Sequence, residues 1–231
     1  MRYIPRDNST WHAMHAIYAL RHSGDEYSID PVKSALRQIY YGCCAYCEGK
    51  VEPVAYFEIE HFYPKGKYPQ WRTNFHNLHF SCPRCNRLKG DKENDTILSP
   101  NYYYENGEWV THPTEIDSCL HYTGYLLFPN ADATSKKGEG TIEMFKLNDR
   151  PFLVWDRLRR YIEVYNLLKV IYDVLKLEKN VVKHLDKPIA ILFQQVVSYT
   201  NPDTAYSTMI IQNFGDEIKK LLSIWNVYRQ E

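Results

Sequence analysis

Apolar and polar positions change period several times along this 231-residue chain, and each change predicts an element. Residues 9–21 (Ser-Thr-Trp-His-Ala-Met-His-Ala-Ile-Tyr-Ala-Leu-Arg) predict a helix with Ser9 as its N-cap. Asp30-Pro31 opens a second helix, because Asp caps and Pro suits a first turn. Val32, Leu36 and Ile39 give that helix its apolar face, and Gly42 is placed to stop it. Between residues 54 and 61 the pattern becomes partly alternating, which predicts a strand that Pro64-Lys65-Gly66 breaks. Residues 77–80 predict a short second strand. Cys82-Pro83 then starts a helix carrying Cys85, Asn86 and Lys89 in its first turns.

Further on, Asn106-Gly107 predicts a hairpin within residues 101–130, followed by an extended piece at 125–128. Residues 131–140 are polar and contain glycine, which predicts a mobile loop. From Thr141 the period is helical. Trp155, Leu158, Ile162, Tyr165, Leu168, Tyr172 and Leu175 form one stripe, read here as mutual core. Pro188 and Asn201-Pro202 punctuate the tail, and 214–228 predicts a closing amphipathic helix. The organisation expected is an N-terminal helical segment (1–42), a knuckle-bearing core (43–100), a hairpin and loop (101–140) and a C-terminal helical region (141–231). That last region is the expected partner-binding part.

Composition narrows the class. Hydrophobic content of 44% and charged content of 24% suit a globular chain. No apolar run reaches the roughly 18 residues of a membrane span, and the first residues lack the apolar stretch of a signal peptide, so the expected compartment is cytoplasmic. The formal net charge is zero, which argues against bulk electrostatic gripping of nucleic acid. Its distribution points the other way. Between His61 and Gly90 lie Lys65, Lys67, Arg72, Arg84, Arg87 and Lys89 with no carboxylate, either a solvated loop or a phosphate-facing strip.

Five of the six cysteines fall in two clusters, and only Cys119 stands apart, expected to be a buried or idle thiol. Two Cys-x-x-Cys turns can present four thiolates to one tetrahedral ion, so Cys44, Cys47, Cys82 and Cys85 are the expected set. Cys43 is the alternative to Cys44. The ion expected is zinc, with iron of the same geometry left open, and a redox pair is the competing use of such cysteines. A four-sulfur site is closed and therefore structural. The 34 residues between the pairs exceed a compact zinc ribbon and leave room for chemistry.

That chemistry has candidates. Phosphodiester cleavage needs a water, a group to take its proton and a cation to offset charge on the departing oxygen. Imidazole suits the base, and carboxylate and amide oxygens suit Mg²⁺. Glu60 and His61 end the first strand, and Asn86 opens the helix behind the second knuckle. Neighbours on a regular strand face opposite ways, so the strand must bend there if both are to reach one phosphate.

Cys-x-x-Cys, Glu-His-Phe-Tyr-Pro-Lys, Asn-Leu-His-Phe-Ser-Cys and Cys-Asn-Arg-Leu-Lys-Gly together resemble the zinc-containing HNH endonucleases with a ββα-metal core. The resemblance implies an α+β fold, that core with its structural four-cysteine zinc site flanked by N-terminal helices and a C-terminal helical region. It implies His61 as general base, Glu60 and Asn86 as ligands of a catalytic Mg²⁺ or other divalent cation, and Asn77 bracing the loop and orienting His61. It also implies Lys89 near a phosphate, and nucleic-acid contacts from Lys65, Lys67, Arg84 and Arg87. Glu60 departs from the Asp more usual before the histidine. Being one methylene longer, it would set the ion farther from the strand or bind it through a water. His76 and His79 are assigned packing or phosphate contact.

The opening Met-Arg-Tyr-Ile, the Cys-Cys-Ala-Tyr-Cys-Glu knuckle and Gly-Thr-Ile-Glu-Met-Phe-Lys-Leu-Asn-Asp-Arg extend the likeness. They resemble the PtuB family, HNH effectors of Septu and retron-linked antiphage systems. That likeness implies a PtuA-like ATPase in a hetero-oligomer, in retron systems a reverse transcriptase and its msDNA, and a DNA or tRNA substrate. A non-catalytic zinc module that binds nucleic acid or a partner protein is the alternative. It has no use for Glu60-His61.

Overall fold

The computed structural model describes residues 1–51, 56–92, 94–133 and 136–230. They form two compact units. One comprises residues 1–121 and 127–150, the other residues 122–126 and 151–231 as far as they are described.

The first unit opens with α1 (Trp11–Arg21), which packs along α2 (Asp30–Ile39). Thr10, rather than Ser9, caps α1 by accepting from the Ala13 N–H, while the Ser9 hydroxyl is turned back onto Asp7. Ile29 occupies the N-cap of α2, so Asp30 lies in the first turn without a side-chain cap bond. Its negative charge still suits that end of the helix dipole. Tyr41 and Gly42 both adopt left-handed φ, and the Gly42 N–H donates to the Arg37 carbonyl at 3.0 Å, which ends α2 and delivers the chain into the first knuckle.

β1 (Glu58–His61) pairs antiparallel with β2 (Leu78–Ser81), Glu60 opposite His79 and His61 opposite Leu78. The expected strand start at residues 54 and 55 lies outside the described residues. Cys82 caps α3 (Pro83–Lys89), and Gly90, at positive φ, follows its last turn. The order strand, loop, strand, knuckle, helix is therefore the one expected. β3 (Tyr102–Glu105) and β4 (Glu108–Thr111) flank Asn106-Gly107 as a hairpin, both turn residues at positive φ. α4 (Glu115–Cys119) leads into a third hairpin of β5 (Leu120–Thr123) and β6 (Leu126–Pro129), the latter containing most of the extended piece expected at 125–128.

The segment expected to be a mobile loop, residues 131–140, differs at its C-terminal end. Residues 137–145 form α5 (Lys137–Phe145), and its glycines serve close packing. A Cβ at Gly140 would lie 2.0 Å from the Thr96 carbonyl oxygen, and one at Gly138 would lie 2.6 Å from that of Cys119. Only glycine lets this helix approach so closely.

The second unit is helical: α6 (Pro151–Leu175), α7 (Lys179–His184), α8 (Asp186–Ser198) and α9 (Ser207–Gln230). α6 packs on α8 and α9 through Leu153, Val164, Leu168, Ile171 and Leu175. The stripe read from the sequence is only in part this face: Leu168 and Leu175 are buried, but Trp155, Ile162, Tyr165 and Tyr172 are exposed. The buried face includes Arg157, whose guanidinium lies 5.4 Å from the Tyr122 ring centre and 5.9 Å from that of Tyr206. An arginine laid on two rings in a core is invisible to apolar periodicity. No helix is long and apolar enough to cross a membrane among the described residues.

Candidate active site

The two knuckles converge. Cys44, Cys47, Cys82 and Cys85 bring their sulfurs within 4.8 Å of one another, the arrangement a tetrahedral thiophilic ion requires. Cys43 is outside this group and its thiol lies 3.8 Å from the Tyr41 carbonyl, so Cys44 is the member of the pair that joins the sulfur cluster. Cys119 is buried and outside the cluster, in keeping with the expected buried or idle thiol. Arg150, which sequence reasoning left without a role, donates from Nη1 to the Cys85 sulfur at 3.2 Å. A guanidinium there offsets the negative charge of a four-thiolate set and supports sulfur as an anionic ligand.

β1 and α3 meet beside this cluster. Glu60 is almost fully buried, and both its oxygens are engaged: Oε1 lies 2.9 Å from the Lys89 ammonium and Oε2 accepts from the Tyr46 hydroxyl. Lys89 is fully buried and also donates to the His61 carbonyl at 2.7 Å. The expectation that Lys89 faces a phosphate is corrected here, since its charge is spent inside the fold, tying α3 to the end of β1. Glu60 and Asn86, expected as joint ligands, have different partners. Asn86 Nδ2 lies 2.6 Å from Glu58 Oε2, and both residues are half-buried at the surface of the seam.

His61 is buried and stands edge-on to Tyr27, ring centres 4.5 Å apart. Its Nε2 lies 2.9 Å from the Arg72 carbonyl, which only accepts, so Nε2 carries the proton and Nδ1, without a partner among the described residues, keeps its lone pair. Burial, helped by the charges of Lys65, Lys89 and Arg72 and opposed by the Arg72 carbonyl, lowers the imidazole pKa to about 4. The ring is therefore neutral near pH 7. Asn77 is fully buried: Oδ1 accepts from the Tyr63 N–H at 2.7 Å, and Nδ2 donates to the Tyr63 and Trp71 carbonyls at 2.9 and 3.2 Å. It fixes the two ends of the loop from Tyr63 to Trp71. Arg72, which holds His61, is the next residue.

His79 is wholly buried, with Nδ1 against the Tyr40 hydroxyl and Arg6, so it is a packing residue; burial drives its pKa well below the ordinary value. Half-buried His76 accepts from Asn8 Nδ2 at 2.9 Å and stacks near Trp109. Lys65, Lys67, Arg84 and Arg87 are all exposed. Lys65 rests on Tyr27, its ammonium 2.6 Å from the phenol oxygen, beside the ring that faces His61.

Sequence reasoning missed Tyr46, Glu58 and Arg150. A signal for Glu58 existed: two residues before Glu60 on a strand is the same face.

The HNH endonuclease family model matches residues 44–92, the stretch that holds both knuckles, β1, β2 and α3. Two curated relatives align with most of the chain. Septu protein PtuB of Bacillus mycoides (strain KBAB4) is 28% identical over 238 residues, covering 86% of this chain and 79% of the relative. Septu protein PtuB of Bacillus thuringiensis is 27% identical over 214 residues, covering 87% and 77%.

Proposed function

We propose that this chain, which carries an HNH endonuclease domain and is homologous to the Septu protein PtuB, hydrolyses nucleic-acid phosphodiesters with His61 as general base. The single observation that carries the role is the contact of His61 Nε2 with the Arg72 carbonyl. With Nε2–H committed to the Arg72 carbonyl, the His61 Nδ1 lone pair is available to a water. His61 Nδ1 takes the water's proton as its oxygen bonds to phosphorus, and the ester P–O bond on the opposite side breaks. The departing oxygen takes a proton from solvent. The half-buried Asn86 and the acidic face of β1 supply hard oxygen donors that fit a divalent cation such as Mg²⁺. When bound, that cation offsets charge building on the phosphate and the departing oxygen.

Zinc, held by Cys44, Cys47, Cys82 and Cys85, is structural and locks α3 against the knuckle that precedes β1. Asn77 braces the loop whose continuation, Arg72, aims the imidazole. The exposed cations Lys65, Lys67, Arg84 and Arg87 guide the substrate backbone. The chain acts in the cytoplasm as the effector of an antiphage system, alongside a PtuA-like ATPase. Its zero net charge supports a nuclease that borrows much of its grip from that partner.

The test is to express wild type and His61→Ala beside the genes that accompany the chain, and to map new DNA and tRNA ends after induction. Site-specific ends are expected with wild type and none with His61→Ala, at equal protein and zinc content. Equal cutting by both would remove His61 from the chemistry. Equal rates for isolated and partner-bound protein would remove the partner's part in binding.

A further inference from the structure

Aromatic rings crowd the loop that aims His61. Tyr68 stacks on Trp71, ring centres 4.9 Å apart and planes 11° apart. Tyr104 and Trp109, cross-strand partners in the β3–β4 hairpin, close on the same indole at 4.5 and 5.5 Å. Buried Tyr63 fastens loop to hairpin: its ring stands edge-on to Trp71, and its hydroxyl accepts from the Tyr104 N–H at 2.8 Å. The Trp71 carbonyl accepts from Asn77 Nδ2 at 3.2 Å, and the next residue is Arg72, whose carbonyl meets His61. The rings are thus built onto the segment that holds the base.

Hydrogen bonding separates two kinds of ring here. Tyr63 and Tyr103 are buried, and each phenol oxygen accepts from a backbone N–H, that of Tyr104 and that of Ser99. Tyr68, Trp71, Tyr104 and Trp109 are only half-buried, and none of their hydroxyl or indole N–H groups has a partner among the described residues. Rings closed into a core find partners for those polar edges. Rings kept at a surface leave them to solvent or a ligand. No further ring or cation stacks on Tyr68 among the described residues, so the Trp71–Tyr68 stack lacks a third member.

Charge selects the class of group that would supply it. Lys65 and Lys67 are exposed in the same loop, and the chain has no carboxylate between His61 and Gly90. The exposed carboxylates of the hairpin, Glu105 and Glu108, face each other across its turn, which places phosphates on the loop side. A flat group attached to phosphates is a nucleotide. Only an unpaired base has a face free for a protein ring, because in a duplex its neighbours cover both.

We infer that Tyr68, backed by Trp71 and flanked by Tyr104 and Trp109, stacks an unpaired base of the nucleic-acid substrate, with the adjoining phosphates towards Lys65 and Lys67. The preferred substrate then has an unpaired segment beside the bond that is cut. The inference rests on the nuclease reading above and names the substrate class.

The test uses full-length, zinc-loaded His61→Ala protein, which removes turnover from the measurement. The probes are mixed-sequence DNA and RNA oligonucleotides, single-stranded or as the matching duplexes, carrying 5-iodouracil, which cross-links under ultraviolet light to an aromatic side chain stacked on it. Single strands are expected to give adducts on Tyr68 or its three neighbours. Tyr68→Leu is expected to weaken single-strand binding about fivefold or more and leave duplex binding unchanged, while Tyr68→Phe, which keeps the ring, binds like the parent. Adducts only at other residues overturn the assignment, as does a folded Tyr68→Leu protein that binds single strands like the parent. An equal loss for single strands and duplexes, or a parent that binds no single strand, also overturns it. If Tyr68→Leu does not fold, the adduct map of the parent decides alone. The DNA and RNA arms tell which sugar the site accepts. Cleavage by the protein with native His61, measured separately, reports on the nuclease reading: its absence defeats that reading whatever the adduct map shows.

Discussion

β1 and β2 are four residues each and α3 is seven, whereas α6 runs for 25 and α9 for 24. A two-stranded sheet and a two-turn helix are marginal alone in water, and long amphipathic helices that pack on one another are not. The site region therefore borrows its order from a sulfur cluster and from buried polar pairs: Glu60 with Lys89, Asn77 with the Tyr63 backbone, Arg6 with the Phe75 and Leu78 carbonyls. The helical unit draws on apolar burial. Short elements joined by exacting side chains hold polar groups such as Glu60, His61 and Asn77 inside the fold with partners, where an apolar core would leave them unpaired.

Removing the metal should break the contrast most sharply. Chelation, or Cys85→Ser, is expected to cost most of the order of β2 and α3, because binding free energy at such a site is folding free energy, on the order of 10 kcal/mol in small zinc modules. Amide hydrogen exchange should show β2 and α3 losing protection while α6 and α9 keep theirs. Equal loss in both units would mean the sulfur cluster is not what sustains the site.

Lys89→Ala comes next. Leaving Glu60 charged and alone is expected to cost about 3–5 kcal/mol in thermal or denaturant unfolding. Adding Glu60→Gln should recover part of it. The matching change in the helical unit, Trp155→Ala at a position 65% exposed, is expected to stay within about 0.5 kcal/mol. If the two changes cost the same, buried pairing is not the distinguishing support.

Acid should act more gently. Burial, and secondarily the Arg6 charge, lowers the His76 pKa from 6.5 to about 4. Below 6.5 the unfolded chain takes up a proton that the folded one refuses until about 4, so this contribution to stability is full above 6.5 and is lost as pH falls through that window. His76→Gln should flatten the decline of Tm between those two values. An unchanged slope would assign the acid sensitivity to other groups.

Much of the site could be read from residue types. Cysteine spacing gave the sulfur cluster, and alternation followed by Cys-Pro gave β1, β2 and α3 in order. Periodicity could not show who pairs with whom across two elements. That Glu60 meets Lys89 and Asn86 meets Glu58 depends on how α3 slides along β1. Tyr46 and Arg150 reach the site from 14 and 65 residues away along the chain. α5 was hidden because glycine reads as flexibility in a sequence, and here it serves contact with Thr96 and Cys119. The buried face of α6 is hard to read for the opposite reason: apolar residues ring the helix, and one of its buried positions is Arg157.

The most direct measurement is the single-turnover cleavage rate of zinc-loaded His61→Ala against wild type, with saturating Mg²⁺ and any partner required. Loss of a general base should slow cleavage by about 10²–10⁴-fold, with zinc content and Tm unchanged. A folded, zinc-replete His61→Ala protein that cuts at the wild-type rate would contradict the assignment of proton transfer to this imidazole.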